Sequence, residues 1–302
     1  MSLDGHRSPG WAGRRLAWGR TQLDRVPGAT RLVTELSRIE LVDRSLALGA
    51  QALLALLPFL VVLAAFAPLD LGIAVVNQVR DAMGLASGDV GPAMQVVDSG
   101  SVETNSGVFG FVIALVSATS FSRALQRMYA RVFEVHGEGG RGRFQKSVVW
   151  LPVWLAYIAT SALLGGWRDD LPGGAIWIPV VAALLQVAFW WWSAHFMLLG
   201  LRAWSHLLPA ALLTTAASLV LVGGSAVVMP PYTRSTVEQF GSFGLVLAAA
   251  TWLVAFGGVL VATCLTGRLV AEQPVWQRLT AWVLRRAADR RQPRAVERVL
   301  SD

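Results

Sequence analysis

The chain has 302 residues, of which 54% are hydrophobic and only 15% charged, with a formal net charge of +7. Soluble domains carry about 25% charged residues, so this composition lies outside the range of an ordinary soluble enzyme or binding module. The single cysteine, Cys264, excludes an intramolecular disulfide and any thiol-pair redox or metal motif.

In chain order, residues 1–44 form a charged segment with helical spacing of Leu32, Leu36 and Ile39 beside Arg31, Glu35 and Arg38. Trp11 and Trp18 suit the headgroup layer. No cleavable signal peptide is read here, and the first apolar stretch is expected to act as an uncleaved signal-anchor. Six stretches then follow without any Asp, Glu, Lys or Arg, at 45–69, 104–122, 147–167, 171–201, 203–233 and 239–267. A hydrocarbon core about 30 Å thick needs about 20 helical residues to cross it. The expected fold is therefore all-α: a polytopic membrane protein with a six-helix domain over 45–267.

The connection 70–103 is too long for a turn. Ile73, Val76, Val79 and Met83 are spaced as one helical face, and a second short helix is expected from Ser87 with Val90, Met94 and Val97. Both are read as external amphipathic helices. The 123–146 segment is read as a basic cytoplasmic loop, glycine-rich from 134 onward. Residues 268–302 form a basic tail. In it Trp276, Leu279 and Val283 make one stripe near Arg278, Arg285 and Arg286. The tail either anchors the protein at the membrane or docks a partner or lipid.

Charge fixes the expected topology. The termini, the 123–146 segment and Arg202 hold 23 of the 26 basic residues and 11 acidic ones. The opposite face holds Arg80, Arg168 and Arg234 with 8 acidic residues. The positive-inside rule places both termini in the cytoplasm, and an even number of spans agrees. The basic excess is thus read as topology and anionic-lipid contact, with no nucleic-acid partner. A bias of 25 Arg to one Lys suits a high-GC bacterial genome, which makes the expected location a bacterial plasma membrane.

Tryptophans 150, 154, 167, 177 and 204 fall at span ends, as an aromatic belt requires. Three more, Trp190, Trp191 and Trp192, lie nearer mid-depth, so at least one should face protein. Pro58, Pro152, Pro179 and Pro209 interrupt spans, and Pro58 should kink the first one. The pairs Gly165–Gly166, Gly223–Gly224 and Gly257–Gly258 permit either close helix packing or bending. Pro58, Gly257 and Gly258 are the hinge candidates.

No catalytic constellation emerges, and no cofactor or metal is expected. The spans contain no carboxylate, and His195 is the one histidine read as intramembrane, His206 falling close to the start of the 203–233 stretch. The serines at 117, 120, 161, 193 and 218 therefore lack an oriented base. An enzyme is not the expected reading. The absence of a buried carboxylate also argues against a standard proton relay. What remains is polar and uncharged: Gln51, Gln186, His195, Thr119, Ser120, Thr214, Thr215 and Ser218. These groups either pair between helices or line a groove for a headgroup. Arg123, Arg127 and Arg131 recur every four residues, with Gln126 and Glu134 nearby, and so share a helix face. Like charges at that spacing repel, and an anion relieves this: either phospholipid headgroups in general or one specific anionic lipid. The binding candidates are thus Arg123, Arg127, Arg131, Gln51, Gln186 and His195.

Three segments carry a resemblance: LALGAQALLALLPFLVVLAAF (46–66), SGVFGFVIALVSATSFSRALQRMYARVFEV (106–135) and FGSFGLVLAAATWLVAFGGVLVATCLTGRLVAE (240–272). The Arg-Ala-Leu-Gln-Arg-x-Tyr run in the second is the most specific. Over about 45–272 the chain resembles the YihY/BrkB membrane proteins, once mislabelled ribonuclease BN. It departs at Gln51, Ala55 and Leu56, and at Cys264, Leu265 and Thr266. The resemblance implies a six-helix inner-membrane fold tied to envelope integrity, with lipid or glycolipid transport as one suggested role. The expected function is thus movement of an anionic lipid or amphiphile. A non-transporting scaffold for envelope or cytoplasmic partners is the alternative, and a homo-oligomer is compatible with both.

Overall fold

The computed structural model describes residues 34–35, 40–66, 69–85, 119–135, 141–168 and 170–289. All regular secondary structure among them is helical. In chain order the helices are α1 (Leu41–Phe66), α2 (Leu69–Met83), α3 (helical over 119–132), α4 (Arg141–Gly166), α5 (Gly174–Met197), α6 (Trp204–Phe240), α7 (Phe243–Ala271) and α8 (Pro274–Asp289). The chain divides into a unit ending at Glu40 and a larger one beginning at Leu41. Of the smaller unit, residues 34–35 are helical and Glu40 adopts a φ of 55°.

Four helices are long and apolar enough to cross a membrane: Val149–Gly166 within α4, Gly174–Met197, Trp204–Phe240 and Phe243–Ala271. Their outward surfaces are unsuited to water. Ile176, Leu184, Val220 and Val227 are all more than 60% exposed. Apolar faces of this kind, repeated over four helices, mark a membrane-embedded protein. The first expected span lies on α1, helical across Pro58, although the side chains from 57 onward lie outside the described residues. The expected span 104–122 is described only from 119. Leu32, Leu36 and Ile39 of the N-terminal stripe, the second external helix from Ser87 and Ser117 also lie outside the described residues.

The helices pack in an order that the connections make easy. A tight turn at Gly241 (φ 61°) folds α7 back along α6, the most extensive helix pair of the molecule. The other principal pairs are α1 with α7, α5 with α6, and α4 with α5. Small residues set the closest crossings. A Cβ placed on Gly49 would stand 2.6 Å from Val254 Cγ2 and 2.7 Å from its Cα. One on Gly257 would stand 2.9 Å from the Ser45 carbonyl oxygen, and one on Gly267 would overlap the Ala210 backbone. Lipid tails give no hydrophobic incentive for helices to associate, so such backbone proximity and its dispersion contacts hold the bundle together.

Several local expectations change. Helix α4 starts at Arg141, so residues 141–146 of the expected basic loop are its first turns, with Lys146 Nζ 5.4 Å from the Phe196 ring centre. Helix α6 has 37 residues, about 55 Å at 1.5 Å each, well beyond the stretch 203–233. Arg234 and Glu238 ended the uncharged count, yet both are exposed on a helix that continues to Phe240. On α2 the buried residues are Gly72, Val75, Val76 and Met83, Val79 is half-buried and Ile73 is exposed. The buried arc is wider than the expected face because α2 packs on both α4 and α6. There Gln78 Nε2 donates to Ser161 Oγ at 2.7 Å, and Ser225 Oγ donates to the Ala82 carbonyl at 2.8 Å.

The glycine pairs divide. Gly257 and Gly258 lie against Ser45 of α1, inside an uninterrupted α7. Gly165, Gly166, Gly223 and Gly224 have open space where a Cβ would stand, so these two pairs mediate no close approach among the described residues. Pro152, Pro179 and Pro209 all lie within continuous helices. Trp150 leaves the expected belt altogether. It is fully buried, donates to Ser193 Oγ at 3.0 Å and stacks on Trp154. Trp167, Trp177 and Trp204 remain half-exposed at helix ends, and of the mid-depth trio it is Trp190 that is buried.

Candidate functional site

The candidate site is built on α3. Its buried face carries Ser122, Gln126, Tyr129 and Phe133, recurring at three and four residues, so one side is fixed in the bundle. Gln126 Nε2 reaches the Met197 carbonyl at 3.4 Å. Cys264 of α7 is buried, and Thr214 pairs with Thr263 at 2.8 Å. The opposite side holds Arg123, Arg127 and Arg131, all exposed. Arg123 is partly occupied by its own helix, donating from Nε to the Thr119 carbonyl at 3.2 Å and from Nη2 to Ser120 Oγ at 3.4 Å. Arg127 and Arg131 make no hydrogen bond or ion pair among the described residues.

The C-terminal end of α3 is held by two other arginines. Arg268 of α7 donates from Nη1 to the Val132 carbonyl at 2.7 Å, and Arg202, in the α5–α6 connection, donates from Nη2 to the Phe133 carbonyl at 2.7 Å. Carbonyls in the last turn of a helix lack intrahelical partners and carry partial negative charge. Two guanidinium groups satisfy both needs. Arg268 also meets Glu134 Oε1 at 3.2 Å and Glu272 Oε1 at 3.0 Å, with only 12% of its side chain exposed. Glu134 itself turns at φ 51°, ending the helix. Sequence reasoning assigned Arg202 and Arg268 to topology alone. No motif pairs them with carbonyls 69 and 136 residues away.

The remaining candidates do not converge on one seam. Gln186 and His195 are nine residues apart on α5, which puts them on opposite faces, about 180° apart. His195 sits at the helix end. Its Nδ1 lies 3.2 Å from the Arg202 carbonyl, and its ring stacks on Trp204 with centres 4.0 Å apart. It therefore helps shape the turn through Leu199 and Gly200, both of positive φ. Gln51 lies on α1, whose main partner among the described helices is α7, and its Oε1 is buried with no partner among the described residues. The buried hydroxyls of Ser122, Thr215 and Ser218 likewise have none among the described residues. Among the described residues no three His, Cys, Asp or Glu side chains cluster as metal ligands.

No protein-family model, curated protein or solved structure matches the chain.

Proposed function

We propose that the chain is a six-span bacterial plasma-membrane protein, with both termini cytoplasmic, that binds an anionic lipid or amphiphile and moves it between leaflets. This is the role implied by the YihY/BrkB resemblance. The observation that carries the reading is the exposed triad on α3. Arg127 and Arg131 present guanidinium groups free of ion pairs among the described residues, on a helix whose far side is locked into the bundle and whose end is clamped by Arg202 and Arg268. A guanidinium fork matches phosphate geometry, and a rigid mount lowers the entropy lost on binding. The buried hydroxyls of Ser122, Thr215 and Ser218 and the carbonyl oxygen of Gln51 are unspent hydrogen-bonding capacity inside the bundle, available to a headgroup or water in transit.

The test is a translocation assay. Proteoliposomes should transfer fluorescently labelled phosphatidylglycerol between leaflets faster than empty liposomes of the same composition. Replacing Arg127 and Arg131 together with alanine should slow transfer at least about tenfold, since one charge-assisted hydrogen bond of about 1.5 kcal/mol already corresponds to that factor. Rates equal to those of empty liposomes would contradict transport. Lipid capture without transfer would favour a scaffold.

A further inference from the structure

Helix α8 keeps an apolar stripe that no described part of the protein covers. Val275, Leu279 and Trp282 are 76%, 52% and 53% exposed. At 100° per residue they fall within an arc of about 60°. Arg278 and Arg285, both exposed, lie on one side of that arc, and the exposed Arg286 falls within it one turn beyond Trp282, its guanidinium 4.9 Å from the Trp282 ring centre.

The roll of the helix is fixed. The Trp276 indole N–H donates to the Ser205 carbonyl at 3.0 Å, and Thr280, about 40° round the helix from Trp276, is half-buried as well. The exposed stripe is therefore Val275, Leu279 and Trp282, while Trp276, expected to share the stripe of Leu279, is turned into the protein. The position along the membrane normal is also set. Helix α7 ends at Ala271 and α8 begins at Pro274, so the stripe starts within one helical turn of a membrane-crossing helix.

We infer that α8 is an interfacial helix that lies on the surface of the same membrane and binds anionic lipid. Val275, Leu279 and Trp282 enter the acyl boundary, while Arg278, Arg285 and Arg286 meet headgroup phosphates. Continuity with α7 puts the stripe at that depth. Charge complementarity selects anionic headgroups, because no acidic residue occurs between Pro274 and Ala288. Three side chains of at most about 250 Å² each, none fully exposed, fall well short of the roughly 800 Å² that each partner gives a stable protein interface. A bilayer needs no such threshold. The inference requires only that α7 spans the membrane and is independent of the arginines on α3.

Spin labels at Leu279→Cys and Gln277→Cys in the full-length protein test it, read in nanodiscs of phosphatidylcholine with and without phosphatidylglycerol. The native Cys264 is buried. In anionic discs position 279 should favour oxygen over a water-soluble nickel complex, giving a positive depth parameter, and position 277 should give a negative one. The triple variant Arg278→Ala, Arg285→Ala, Arg286→Ala should remove the difference. Equal water exposure at both positions would overturn the inference, as would a label at 279 shielded from both reagents, which a protein partner or second copy would produce. The same depth in both disc types would refute the preference for anionic lipid.

Discussion

Gly267→Ala should separate α6 from α7 and be among the costliest single methyls that could be added to the bundle. A Cβ at 267 would overlap the Cα and N of Ala210, and no rotamer change moves a helix backbone aside. The pair must part along its length, which forfeits dispersion contacts in the most extensive helix interface of the molecule. Overpacking costs typically 1–3 kcal/mol, and a backbone-to-backbone clash belongs at about 3 kcal/mol or above. At about 2–4 °C per kcal/mol for a protein of this size, the unfolding midpoint in detergent should fall by about 10 °C. Gly223→Ala and Gly224→Ala are the controls. Both positions face open space, so alanine should be neutral or raise the midpoint slightly through helix propensity. A Gly267→Ala protein as stable as its parent would show that α6 and α7 do not cross this closely.

The second large effect belongs to Arg268. Its guanidinium joins three partners on two elements: the Val132 carbonyl, Glu134 and Glu272. Alanine would leave the α3 terminus with a nearly buried carbonyl and would remove the Arg268 charge from beside Glu134 and Glu272. Hydrogen bonds to charged groups contribute about 1.5–3 kcal/mol, so the loss should lie at about 3 kcal/mol, less for the half-exposed carboxylates. Lysine should restore only part of it, because an ammonium lacks the planar fork that reaches carbonyl and carboxylate together. Thermal unfolding of Arg268→Ala, Arg268→Lys and Arg202→Ala checks the ranking, with Arg268→Ala lowest. If all three melt with the parent, the clamp contributes nothing. The clamp also has a functional side. It fixes the helix that presents Arg127 and Arg131, so Arg268→Ala should weaken lipid binding without touching the binding face.

Much of the architecture was legible because the bilayer imposes a coarse rule. Uncharged runs of sufficient length marked α4, α5, α6 and α7 to within a few residues at most ends. The rule failed where helices leave the hydrocarbon, since charges stop an uncharged run but not a helix. Arg234 and Glu238 on α6 and Arg141–Lys146 on α4 are the cases. Periodicity placed a helix at α2 and found Val76 and Met83 on its buried side, but it included the exposed Ile73 and missed Val75, because two neighbours bury a wider arc than one. Glycine pairs drew attention that single glycines deserved. Gly49 and Gly267 make close crossings, and nothing in the chain near them says which way they point. Of the candidate site, the shared face of Arg123, Arg127 and Arg131 followed from spacing alone. The separation of Gln186 from His195 also followed from helix geometry, although polarity had grouped them. The clamp by Arg202 and Arg268 joins residues distant in sequence, and no local pattern carries it.

The central claim is that the α3 arginines hold an anionic headgroup. Native mass spectrometry of the protein released from mixed phosphatidylglycerol and phosphatidylcholine tests it most directly. Phosphatidylglycerol should remain bound in excess of its share of the mixture, and the Arg127→Ala, Arg131→Ala double variant should lose that excess while melting at the parent temperature. Retention of the two lipids in proportion to the mixture, or an excess unchanged in the double variant, would contradict the account.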